Sequence, residues 1–440
     1  MKVGIISLGC NKNRVDSEYA LGLLRDAGYA FTAAPEEADI LLVNTCGFIG
    51  PAKEESIDAI LDMARYKQPD TGRCRLLVVT GCLAQRYSDE LLKEMPEIDL
   101  LLGVNQYDRL VEAIEQALDG QAAQRSYCED NHSFFEHDRV LTTPSYTAYI
   151  RIGEGCSNRC TFCAIPLIRG PHRSRPRGAI LSEMRRMAER GVREHILVAQ
   201  DTTRWGTDWQ AHSALADLME EAAEVPGVEW LRVLYCYPDE TDARLLDLIA
   251  ENPRICSYLD LPVQHISSRI LRRMARRGTA EDIRRCVRMA HERGLTLRTS
   301  LIVGFPGETE AEFEELLAFV EEARFDRMGA FAYSPEEGTP SATFPDQVPE
   351  EVKQERLDRL MKLQASISAD LNARRVGTVE KVLVTDVDTA GGKGLGRTER
   401  EAPETDGELV FTFKEAPQIG SFRQVKITGS GTYDLTGELL

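Results

Sequence analysis

Cys156, Cys160 and Cys163 constrain this chain more than any other residues. They stand in Glu154-Gly155-Cys156-Ser157-Asn158-Arg159-Cys160-Thr161-Phe162-Cys163, a C-x3-C-x2-C run on one short segment. Three thiolates this close can each hold a different iron of a cubane cluster, and thiolate is the ligand such clusters take. A cubane has one iron more than the run has cysteines, so one iron stays open to bind a second molecule. A structural zinc site would need a fourth ligand, and no further Cys or His completes the pattern beside it.

Composition narrows the classes. At 440 residues, 42% apolar and 28% charged, the chain has room for several ordinary domains. Eleven cysteines with three tightly clustered read as metal ligation in a reducing compartment rather than as a disulfide framework. A net charge of −18 argues against the whole molecule being a nucleic-acid clamp. The apolar stretch Val3–Leu8 is too short for a signal sequence, and polar Asn11-Lys12-Asn13-Arg14 follows it closely. With no run of about 18 apolar residues, the expectation is a cytoplasmic protein without a membrane span.

Residues 1–141 alternate strand and helix. Val3–Leu8, Ile40–Asn44 and Leu76–Thr80 read as buried parallel strands, and Arg14–Ala27, Lys53–Tyr66, Asp89–Met95 and Tyr107–Leu118 as helices. The alternation predicts a doubly wound sheet. Cys10, Cys46 and Cys82 each follow one of the three strands, in the rhyming contexts Leu8-Gly9-Cys10, Thr45-Cys46-Gly47 and Thr80-Gly81-Cys82. The C-terminal edge of such a sheet is where ligands bind, so three thiols delivered there can converge on one cluster. The competing reading makes each a small buried apolar residue. Cys74, Cys128, Cys236, Cys256 and Cys286 show no pattern and read as core or surface thiols.

Asp130–Ser145 is polar and reads as a linker. Alternation resumes over 146–375, with strands expected at Thr147–Ile152, Ile196–Ala199, Leu231–Leu234, Tyr258–Leu261, Leu297–Val303 and Met328–Tyr333. Six strand–helix units predict an incomplete (βα)6 barrel of the TIM type with its active site at the C-terminal mouth of the strands. The cluster loop follows the first strand and lies at that mouth. Gln200-Asp201-Thr202-Thr203, Pro262-Val263-Gln264-His265 and Gly304-Phe305-Pro306-Gly307 follow other strands, although Asp201 and Thr202 would also serve as helix caps without any ligand. Phe162, Gln200, Asp201, Gln264, Arg298 and Gly304 are the candidate cofactor contacts, with Phe162 placed to shield the cluster from water. A helix over Glu350–Arg374 then leads to 376–440. Strands at Val379–Val387, Leu409–Phe413, Gln424–Ile427 and Thr432–Leu435 predict a small β-barrel there. It carries 11 Asp and Glu against 7 Lys and Arg, and its carboxylates Glu399, Glu401, Glu404, Asp406 and Glu408 crowd one turn, as a dock for a basic protein would.

Two cysteine trios, one in a doubly wound domain and one in a barrel, followed by a small β-barrel, resemble the methylthiotransferase family of radical S-adenosylmethionine enzymes over essentially the whole chain. Ala199-Gln200-Asp201-Thr202-Thr203, Leu259-Asp260-Leu261-Pro262-Val263-Gln264-His265-Ile266 and Tyr333-Ser334-Pro335-Glu336-Glu337-Gly338-Thr339-Pro340 are similar to the RimO type rather than the tRNA-directed MiaB type. The resemblance implies α/β domains followed by a TRAM-like barrel, and two 4Fe-4S clusters held by Cys156, Cys160, Cys163 and by Cys10, Cys46, Cys82. It also implies S-adenosylmethionine as methyl donor and radical source, and methylthio transfer to the β-carbon of an aspartate in small-subunit ribosomal protein S-twelve. An electron donor and a sulfur source are implied as further partners. The rival of another class is a non-catalytic iron–sulfur electron carrier, but the ferredoxin spacing C-x2-C-x2-C-x3-C-P is absent.

Overall fold

The computed structural model describes residues 1–120, 125–129 and 134–440. Six strands form one parallel sheet: β1 (Lys2–Ser7), β2 (Ala30–Phe31), β3 (Ile40–Thr45), β4 (Leu76–Gly81), β5 (Leu100–Leu102) and β6 (Arg125–Tyr127). Their order is β2-β1-β3-β4-β5-β6. β3 and β4 are buried on both faces, which is why their sequences run continuously apolar. Leu41, Val43, Leu77 and Val79 meet one layer of helices, while Ile40, Leu42, Leu76 and Val78 meet the other. Strands β2, β5 and β6 are two or three residues long, too short to carry a periodic signal. The strand order switches direction between β1 and β3, and that crevice is where sheets of this kind bind ligands.

The barrel strands are β7 (Thr147–Arg151), β10 (Glu194–Val198), β11 (Trp230–Val233), β12 (Tyr258–Asp260), β13 (Thr296–Val303) and β14 (Arg327–Ala332). A short antiparallel pair, β8 (Gly153–Glu154) and β9 (Arg173–Ser174), closes the base of the cysteine loop. The ladders β11-β10-β7 and β12-β13-β14 are parallel throughout and are joined by a parallel bridge between Leu231 and Ile255. Helices cover the outside, several of them begun by side-chain caps. Thr279 with Asp282 and Thr309 with Glu312 form reciprocal capping boxes, each contributing about 1 kcal/mol. Helix Glu350–Ala373 lies where its apolar spacing placed it.

The C-terminal strands β15 (Val379–Asp388), β16 (Lys393–Thr398), β17 (Leu409–Thr412), β18 (Phe422–Ser430) and β19 (Leu435–Leu439) close into a barrel. The last strand begins at Leu435, not at Thr432 as expected, because Gly431 to Asp434 form the turn before it. β16 escaped sequence reading because Gly394 and Gly396 stand where strand-formers would. A Cβ on Gly394 would lie 2.4 Å from the Phe411 ring, so closure requires the glycine.

Three domains meet in one apolar cluster. Val15 and Tyr19 from helix Asn11–Asp26, Tyr149, Ile196, Trp230 and Tyr258 from the barrel, and Leu383 and Ala402 from the C-terminal unit all belong to it. Two expectations change here. Of the expected linker, residues 130–133 lie outside the described ones, and the rest is no loose tether. Arg139, 1% exposed, ion-pairs with Glu18 and Glu183 and donates to the Tyr149 carbonyl. The carboxylate-rich turn is only partly open to solvent: Glu401 and Asp406 turn inward, while Glu404 and Glu408 stay exposed. Glu401 pairs with Arg375 and Arg327, Asp406 accepts from Tyr258 Oη at 2.7 Å, and Glu404 pairs with Arg14 at 2.6 Å. The turn seals the C-terminal unit against the starts of the barrel strands, the end opposite the mouth. Among the described residues no helix is long and apolar enough to cross a membrane.

Candidate active site: two cysteine trios on one cavity

β1, β3 and β4 are neighbours, so the residues that follow them lie side by side on one edge. Cys10 is the N-cap of helix Asn11–Asp26, Cys46 follows Thr45, and Cys82 opens helix Cys82–Arg86. The glycine before Cys10 is required: at φ +86° it turns the chain, and a Cβ there would lie 3.1 Å from Cys46 Sγ. The second trio sits on the loop between β8 and β9. Backbone hydrogen bonds fix that loop, one to the barrel segment after β12 and one within the loop itself. Thr161 N–H donates to Met274 O at 3.0 Å, and Cys156 N–H donates to Gly170 O at 3.1 Å.

All six cysteines line one cavity of about 290 Å³ between the sheet edge and the barrel mouth. Among the described residues no three His, Cys, Asp or Glu side chains converge tightly enough for a single metal ion. The donor set does fit cubane clusters, in which each thiolate holds its own iron. Burial pushes the thiols of Cys46 and Cys156 up to about 11 and that of Cys163 up to about 12. They therefore rest protonated, and metal binding must displace protons from them.

The sequence candidates divide. Phe162, Gln200 and Gln264 line the cavity. Phe162 meets Phe305 edge-on at 6.5 Å, extending an aromatic wall to Tyr333. Asp201, Arg298 and Gly304 are not among the lining residues. Asp201 instead props the cysteine loop, accepting from Asn158 Nδ2 at 2.7 Å and pairing with Arg277 at 3.1 Å. Arg298 pairs with Asp260 at 2.8 Å and faces Asp406 of the C-terminal unit. Gly304 serves a tight turn at φ +70°, with its N–H on Glu308.

A buried ionic network escaped sequence reading altogether. Lys12, Asp16, Arg151, Glu154 and Arg169 are each 3% exposed or less. Glu154 pairs with Lys12 at 2.7 Å and Arg169 at 3.1 Å, and Asp16 pairs with Arg169 at 2.9 Å and Arg151 at 3.0 Å. Burial alone would raise the Glu154 carboxyl, but Lys12, Arg169 and Arg151 together hold it far below its ordinary value. Burial also lowers Lys12 to about 8. Two guanidiniums reach thiols directly: Arg169 Nη2 is 3.4 Å from Cys82 Sγ, and Arg276 Nη1 is 3.8 Å from Cys160 Sγ. Three cavity-lining residues other than glycine, Arg159, Tyr235 and Gln264, hold a left-handed backbone, with φ of 54°, 64° and 71°. Strain of that kind gathers at functional sites.

Comparison with known proteins agrees with this arrangement. Residues 2–103 match Uncharacterized protein family UPF0004, residues 150–320 the Radical SAM superfamily and residues 376–440 the TRAM domain. The chain is 49% identical to ribosomal protein uS12 methylthiotransferase RimO of Desulforamulus reducens, covering 99% of each chain. It is 48% identical to the protein of that name from Trichlorobacter lovleyi, covering 100% of this chain and 98% of the other. Among solved structures, the radical S-adenosylmethionine methyltransferase TsrM of Kitasatospora setae is similar in fold. It aligns with a TM-score of 0.57 at 15% identity, covering 77% of this chain and 73% of that one. Whole-length identity near one half, with the cysteines of both trios inside matched segments, leaves one assignment: the chain belongs to the RimO family of radical S-adenosylmethionine methylthiotransferases.

Proposed function

We propose that this protein adds a methylthio group to the β-carbon of an aspartate in small-subunit ribosomal protein uS12, using S-adenosylmethionine and two 4Fe-4S clusters. The observation that carries this reading is the meeting of two cysteine trios, from two differently folded domains, on a single cavity. An electron carrier needs no such cavity, and a one-cluster enzyme needs no second trio. Cys156, Cys160 and Cys163 hold one cluster and Cys10, Cys46 and Cys82 the other. When bound, these groups supply a radical able to take hydrogen from an unactivated carbon and a sulfur that carries the methyl group to that carbon.

The chain's own residues prepare the site. Arg169 and Arg276 set positive charge beside Cys82 and Cys160, offsetting thiolate charge that burial would otherwise oppose. Phe48, Phe162, Ile165 and Pro166 supply an apolar lining that limits water. Gln264 offers its amide toward the cavity for S-adenosylmethionine, while the Gln200 amide is held by Lys12 and Glu154. Segments 1–141, 146–375 and 376–440 act as the working units, and the last docks substrate through its outward face rather than through the sealed turn. The setting is the cytoplasm, with an external electron donor and sulfur source.

The test is mass spectrometry of ribosomal proteins from cells with and without the gene, followed by reconstitution with purified uS12. A methylthio group on a uS12 aspartate is expected only with the protein present. A modified tRNA adenosine with unmodified uS12 would overturn the reading.

A further inference from the structure

Among the described residues, four cations line the cavity and no Asp or Glu does. Three of the four are committed inside the protein. Lys12 Nζ donates to Gly153 O, Glu154 Oε1 and Gln200 Oε1 at 3.2, 2.7 and 3.1 Å, which occupies every proton of an ammonium. Arg169 is held by Asp16, Glu154 and Asn13. Arg276 donates to Pro262 O and Cys160 Sγ and lies 4.0 Å over the Tyr237 ring. Arg159 differs. Its side chain is exposed and has no hydrogen-bond or ion-pair partner among the described residues. It also holds a left-handed backbone at φ 54°, a conformation that costs a non-glycine residue about 1–2 kcal/mol. Standing between Cys156 and Cys160, it is anchored on the same loop as the thiols.

We propose that Arg159 binds the side-chain carboxylate of the residue being modified and so sets the preference for aspartate. This rests on the reading above that a protein aspartate is the substrate. The carbon to be modified is bonded directly to that carboxylate. A guanidinium fork that takes both oxygens fixes the carbon's place relative to the cavity, which a single point charge does poorly. An uncharged asparagine of the same shape gives up the charge-assisted pair.

The test compares wild type, Arg159→Gln and Arg159→Lys as reconstituted enzyme, at matched iron content. Each is titrated with uS12 carrying Asp or Asn at the modified position, and separately with S-adenosylmethionine. Wild type is expected to bind the Asp form about 10- to 100-fold more tightly, as for a hydrogen bond to a charged group. Arg159→Gln should bind both forms equally, with Arg159→Lys between. Three outcomes overturn the proposal: Arg159→Gln keeps the Asp preference, weakens both forms by one common factor, or loses S-adenosylmethionine affinity while the preference survives. A wild type that neither binds nor modifies uS12 removes the functional reading itself, and is seen before any variant is made.

Discussion

Arg169 Nη2 lies 3.4 Å from Cys82 Sγ, although Arg169 follows the cysteine loop of the barrel and Cys82 belongs to the trio of the first domain. The same guanidinium pairs with Asp16 of the first domain and Glu154 of the second. One side chain therefore couples the position of the sheet edge to that of the barrel mouth. Arg169→Met should leave both carboxylates short of a partner in a buried setting, costing about 3–5 kcal/mol. A lowered urea midpoint, with less iron at the Cys10, Cys46 and Cys82 trio, is the expected result. An unchanged midpoint would show that Lys12 and Arg151 suffice.

Iron counting tests the number of clusters. Anaerobically reconstituted protein should hold about eight irons per chain, and replacing Cys156, Cys160 and Cys163 by Ala should leave about four. A wild-type count near four would sink the second cluster.

The trios should also separate by chemistry. With Cys10, Cys46 and Cys82 all replaced by Ala, methylthio transfer should vanish while reductive cleavage of S-adenosylmethionine remains measurable as 5′-deoxyadenosine. Cleavage lost as well, in a folded chain still holding its barrel cluster, would contradict the division of roles.

Acid should loosen the seams between domains. Burial pushes Glu183 and Glu401 up, but Arg139 with Arg175 and Arg375 with Arg327 outweigh it, holding each at about 2 against an ordinary 4.5. A depressed carboxylate contributes its full stability above the unfolded value and loses it as pH falls through the folded one. Stability should therefore drop between about pH 4.5 and pH 2. Denaturation midpoints across that range, with Glu401→Gln and Glu183→Gln showing shallower slopes than wild type, would check it.

Charge reversal on the carboxylate-rich turn should separate by burial. Glu401→Lys and Asp406→Lys insert a cation beside Arg375, Arg327 and Arg298, and should release the C-terminal unit to limited proteolysis. Glu408→Lys, on an exposed position, should leave the digestion pattern unchanged. Equal resistance in all three variants would refute the seal.

What the sequence discloses follows from range. The trios are legible because each cysteine sits at a fixed offset from its own neighbours or its own strand, and β1, β3 and β4 announce themselves by continuous apolar runs. Lys12, Asp16, Glu154 and Arg169 are not legible, since charged residues normally lie at the surface and these find partners more than 130 positions away. The same limit misplaced Arg298 and the carboxylate-rich turn. Their side chains have the chemistry of a binding site, and only the folded chain shows Arg298, Glu401 and Asp406 turned inward. Asp201 was half legible: its position after a strand marked it as functional, but its role is to hold Asn158.

Helix Asn11–Asp26 carries Lys12, Asp16 and Glu18 on the face that the barrel later covers. Their partners Arg139, Arg151, Glu154 and Arg169 all come later in the chain than the sheet of which that helix is part. During synthesis the first sheet can be completed while this face still meets water, and charged side chains are content there. The emerging domain thus shows Val15 and Tyr19 to water among charged neighbours rather than on a bare apolar face, and bare apolar surface is what makes half-made proteins aggregate. Its charges also penalise wrong docking, because a misplaced barrel would bury them unmatched. The network that links the two trios in the finished protein is therefore complete only when both domains are in place.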